Sequence, residues 1–158
     1  MGNLHRKRRK ERGRARRMAE GAWDAAERSD LKRAEELMRY AVKEREGDCV
    51  LWNDLGLILW KEEKLRDAER AFRTALLLRP DYEEGKMNLA ALLASRGFYK
   101  QALRLEEELA GSAQHKEYHQ RRAEEYRAKA EKRKHPEQPA TEEWRGSEER
   151  PCNGDRFR

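Results

Sequence analysis

Residues 49–81 constrain this chain most, because they hold two apolar helical faces that cannot bury each other completely. Trp52, Leu55, Gly56 and Leu59 recur at helical spacing, and so do Ala68, Phe72 and Ala75. The polar break Lys61-Glu62-Glu63-Lys64 separates the two sets, and Pro80 follows the second. The pattern predicts a helical hairpin, 50–61 paired with 65–78. So apolar a hairpin needs neighbours of its own kind.

Those neighbours lie roughly 34 residues away on either side, one period of a repeating hairpin. Leu89, Ala90, Leu93 and Ala102 repeat Leu55, Gly56, Leu59 and Ala68, while Ala22, Ala34, Met38 and Ala41 precede Gly56, Ala68, Phe72 and Ala75. A small residue at Ala22, Gly56 and Ala90 lets one helix backbone approach its partner, and Trp52 and Phe72 fill the space alongside. Flanking helices are expected over 14–28, 31–45, 82–95 and 99–110. The breaks fall at Ser29-Asp30, Gly47-Asp48, Gly97 and Gly111-Ser112. A seventh helix over 113–134 carries only Tyr118, Ala123, Tyr126 and Ala130 on one narrow face, which suits a cover for the open end. The expected fold class is all-α, an α-solenoid of three hairpins (15–48, 49–82 and 83–112, within 14–112) plus a C-terminal capping helix. Residues 1–13 read as a disordered basic arm and 135–158, with Pro136, Pro139 and Pro151, as a disordered tail.

The middle unit resembles the tetratricopeptide repeat family. Trp52, Leu55, Gly56, Ala68, Phe72 and Pro80 fit its W-x2-L-G-x2-Y…A-x3-F…P pattern, with Leu59 in place of the tyrosine. The outer units depart further: Gly21 stands where a large residue is expected, and Glu106 stands at the place of Phe72. The resemblance implies a non-enzymatic scaffold that binds a peptide or helix in a concave groove lined by the first helix of each pair. By that geometry the lining is Trp23 and Ala26, then Val50, Asn53, Asp54, Leu57, Trp60 and Lys61, then Glu84, Met87, Asn88 and Ala91. Trp60 beside Asn53, Asp54 and Asn88 would form a stacking surface with amide donors. On the alternative reading, Trp23 and Trp60 simply pack between adjacent repeats. Some family members clamp a chaperone's C-terminal carboxylate with Lys, Asn and Arg on these faces. Here the matching positions are Ala19, Trp23, Asp54, Glu84 and Asn88, two of them acidic, so no such clamp is expected.

Charge is unevenly placed. Residues 1–17 hold nine Lys/Arg against one Glu, whereas residues 18–112 hold 16 basic against 20 acidic residues. Arg6, Lys7, Arg8, Arg9, Lys10, Arg12, Arg14, Arg16 and Arg17 are candidates for contact with nucleic acid or a ribosome. No aromatic side chain interleaves them, so base reading is not expected. The same run also reads as a solubilising tail or, in a eukaryote, an import signal. Two cysteines, Cys49 and Cys152, make no disulfide framework. No apolar run approaches the roughly 18 residues of a spanning helix. With no apolar stretch after the N-terminal charges, a cytoplasmic monomer (nuclear in a eukaryote), without membrane contact, is expected. Self-association through an uncovered repeat face is the alternative. No enzyme motif appears and no cofactor is expected. His115 and His119 could face one metal ion but lack a third ligand, so they read as a solvated pair. Glu106-Glu107-Glu108 likewise reads as a solvated helix face.

Overall fold

A computed structural model describes residues 2–111 and 115–133, with side chains from residue 13 onward. Seven helices follow one another among the described residues: α1 (Gly2–Glu27), α2 (Leu31–Glu44), α3 (Cys49–Lys61), α4 (Leu65–Leu78), α5 (Glu83–Ser95), α6 (Tyr99–Ala110) and α7 (Lys116–Lys132). Helices α1/α2, α3/α4 and α5/α6 pair as hairpins, α2 meets α3 and α4 meets α5, and α7 lies on α6. The expected all-α hairpin array is therefore the observed one. The tail 135–158 lies outside the described residues.

The packing follows the sequence periodicity. Met38, Ile58, Leu59, Phe72, Leu92 and Leu93 are fully buried, and Ala22, Ala34, Ala41, Ala68, Ala75, Ala90 and Ala102 are sealed between helices. Gly56 shows why one position must stay small: a Cβ there would lie 2.5 Å from the Phe72 ring. Asp30 and Asp48 cap α2 and α3, accepting from the backbone N–H of Arg33 and Val50, each at 3.1 Å.

The turn inside each hairpin repeats as well. Ser29, Glu63 and Gly97, each one period from the next, all adopt the left-handed backbone, with φ of 63°, 61° and 82°. Only the third is the residue suited to it. An ion pair between hairpins recurs too, its carboxylates one period apart and its cations both in a turn. Glu35 on α2 holds Lys64 in the next hairpin's turn at 2.6 Å, and Glu69 on α4 holds Arg96 in the turn after that.

The N-terminus departs from expectation. Helix α1 starts at Gly2 rather than near residue 14, so the backbone of the basic arm continues the first helix. Residues 3–12 contain neither glycine nor proline, and Arg, Lys and Glu are good helix formers. A scarcity of apolar residues argues against burial, not against a helix.

Candidate functional site

The first helices α1, α3 and α5 carry the positions expected to line a groove. Val50 and Met87 are exposed, at 41% and 37%. Lys61 and Glu84 are also exposed, while Trp23, Asp54, Leu57, Trp60, Asn88 and Ala91 are half-buried. Asn53 and Ala26 differ from expectation, being only 3% and 7% exposed. Ala26 packs in the core. The Asn53 Oδ1 accepts from the Asn88 Nδ2 at 2.9 Å, joining α3 to α5. That bond satisfies a buried amide, so Asn53 is spent on the fold and Asn88 is half spent.

Trp60 is not a free stacking platform. Its ring meets Phe72 edge-on, with centroids 6.4 Å apart. It packs within its own hairpin, so neither the groove-only reading nor packing between repeats describes it fully. Trp23 instead faces charge: the Lys61 ammonium lies 5.6 Å from its ring centroid. Trp52 anchors the hairpin entry, its indole N–H donating to the Glu46 carbonyl at 2.8 Å.

Among the expected groove positions, Asp54 is the one whose ionisation is clearly perturbed. Burial pushes its carboxyl up to about 6, and the nearby Glu84 and Asp48 carboxylates add to the shift. The Trp23 and Asn53 side chains act on it as donors and only partly offset this. Tyr82, buried at the start of α5, donates its hydroxyl to Glu84 at 2.7 Å. Burial first and then Glu84 raise the Tyr82 phenol, keeping it in the donating form.

The far end holds a site that sequence reading missed. Glu106 is 1% exposed and His119 4% exposed, so neither belongs to a solvated face. Glu106 accepts from His119 Nδ1 and from Arg122 Nε, each at 2.7 Å. The correction has a simple cause: α7 crosses the stripe of α6 that carries Glu106, Leu109 and Ala102, and brings its own partners for the buried carboxylate. His119, Ala123 and Tyr126 form the buried face of α7, while Tyr118 is 49% exposed. One signal was available, since Glu106 stands one period after Phe72 and thus at a core position. Among the described residues no group of three His, Cys, Asp or Glu side chains could hold a metal ion.

The basic run lies along α1. Arg14, Arg16 and Arg17 are exposed, with Arg14 3.8 Å from Glu44 and Arg16 2.8 Å from Glu20. Arg6, Lys7, Arg8, Arg9, Lys10 and Arg12 occupy its first turns.

Comparison with solved structures decides the architecture. The Arabidopsis OM64 TPR domain superposes with a TM-score of 0.67 at 13% identity, over 75% of this chain and 98% of that one. The fold is that of tetratricopeptide repeats. The MamA RS-1 double mutant matches at 0.68 with 18% identity, over 75% and 67% of the two chains. Yeast Tom70 matches at 0.68 with 17% identity, over 74% of this chain but 24% of its own length. No family model and no curated protein matches the chain. Among the described residues, no helix of this repeat array is long and apolar enough to cross a membrane.

Proposed function

We propose that this chain is a non-enzymatic adaptor that holds a segment of a protein partner against the first helices of its repeats. The observation that carries this reading is the exposure of Val50 and Met87 on α3 and α5, on either side of the polar groups Asp54 and Asn88. Apolar side chains left in water beside fixed polar groups are what a binding surface requires. The test is affinity purification with the Val50→Asp/Met87→Asp variant beside a Leu77→Asp control on α4. The groove variant should lose its partner while melting at an unchanged temperature. Retention of that partner, or equal loss with the control, would reject the groove.

A second reading is supported by the continuity of α1, which carries nine cations between Arg6 and Arg17 on one helix. Such a helix can lie along a phosphate backbone, giving contact without sequence reading. If about six phosphates were engaged, affinity for a random duplex would fall roughly 10³-fold between about 50 and 200 mM salt. Binding that survives removal of residues 1–12 would reject this reading.

A further inference from the structure

Where α3 meets α5, the groove carries Asp54 and Glu84, the wrong charge for a carboxylate and the right one for a cation. Asp54 on α3 follows Asn53 and Glu84 on α5 lies one turn before Asn88, so the Asn53–Asn88 bond at 2.9 Å brings the two acidic helices together, with Glu84 exposed and Asp54 half-buried. Among the described residues both accept hydrogen bonds from neutral groups, Asp54 from the Trp23 and Asn53 side chains and Glu84 from the Tyr82 hydroxyl, and neither has a cation as ion-pair partner. Asp48, the third carboxylate of the neighbourhood, is already held by Arg45 at 2.9 Å. The walls are apolar and open at Val50 and Met87. At one edge, the chain's own Lys61 lies over the Trp23 ring, so an ammonium already rests on this surface.

We propose that the groove receives a basic segment of a protein partner. A lysine or arginine head group sits at Asp54 and Glu84, and its methylene stem lies against Met87 and Val50. This rests on the groove reading above and specifies the charge of its occupant. A guanidinium or ammonium suits the site better than a divalent ion, because no cluster of three metal-ligating groups exists among the described residues. Phosphate would be repelled. The long stems of Lys and Arg also match apolar walls around an acidic floor.

The cost of holding Asp54 points the same way. Burial and two neighbouring carboxylates raise its pKa, so its charge at neutral pH works against the fold. Groups held against stability in a groove are expected where the charge is used. A bound cation would relieve the repulsion between Asp54 and Glu84.

The experiment titrates the full chain with three alanine-based helical peptides carrying Arg, Gln or Glu at i, i+4 spacing. Binding is read by peptide anisotropy and by the resonances of the Trp23 indole N–H and the Asn88 side-chain amide. At about 50 mM salt the Arg peptide should bind at least roughly tenfold more tightly than the Gln peptide. Asp54→Asn with Glu84→Gln should bring it down to the Gln level without lowering the melting temperature. If the Gln or Glu peptide moves the same resonances with equal or greater affinity, the basic occupant is wrong and the groove stands. If no peptide moves them, both readings fail. Arg-peptide binding that survives the double substitution also overturns the proposal. So does concentration-dependent self-association abolished by the same changes, which would assign the groove to a second copy.

Discussion

Phe72 and Glu106 occupy the same place in successive repeats, and both are essentially removed from water. In the middle repeat the place is filled by an aromatic ring laid on Gly56 and met edge-on by Trp60. In the last repeat it is filled by a carboxylate that only α7 can satisfy, through His119 and Arg122. An internal repeat has a neighbour on each side, so apolar area suffices. The terminal repeat must hold one helix in one register, and a buried carboxylate with two directional partners specifies that register. The same backbone therefore supports two kinds of core, chosen by what lies next to it.

The comparison is broken most severely on the apolar side. Phe72→Ala should cost about 3–5 kcal/mol in urea denaturation, through lost burial and a cavity beside Gly56. On the polar side, Arg122→Ala should cost about 1–3 kcal/mol, because Glu106 keeps only His119 and Arg122 is itself partly solvated. Replacing Glu106, His119 and Arg122 together by leucine should be near neutral or stabilising, since no buried charge is left unmatched. A triple variant less stable than Arg122→Ala would show that the network supplies energy rather than register.

The groove should respond with the opposite sign. Asp54→Asn should stabilise the chain by about 1 kcal/mol near neutral pH, after allowance for partial solvation. The folded value, about 6, lies above the ordinary 3.8, so the contribution of Asp54 is fully present below 3.8. It is lost as pH rises through about 6. The stability gap between the variant and the parent should thus open between those values, read by denaturation at several pH values. A gap that does not change with pH would remove Asp54 from the account of the groove.

The smallest effect lies in the turns. Glu63→Gly should stabilise by about 0.5–1 kcal/mol, because glycine takes the left-handed backbone without the steric cost. Gly97→Ser should do the reverse and more. Its Cβ would fall on the Arg133 guanidinium, which donates to the Gly97 carbonyl. Equal responses at both turns would mean that α7 does not depend on that contact.

Sequence by itself determined the hairpins, their period, the small residue at Gly56 and the breaks at Ser29-Asp30 and Gly47-Asp48. All of these follow from spacing within a few turns of one helix or one hairpin. The exposure of Val50 and Met87 was legible for the same reason, since a helix has a second face wherever its first is buried. The tertiary structure alone decided which of the groove positions are spent. It paired Asn53 with Asn88, set Trp60 on Phe72, and raised Asp54 first by burying it and then by bringing Glu84 toward it from another helix. It also buried Glu106 by placing α7 over it. Periodicity reports which face of a helix is apolar. Which side chains meet across that face depends on how neighbouring hairpins are rotated, and that rotation exists only once they have packed.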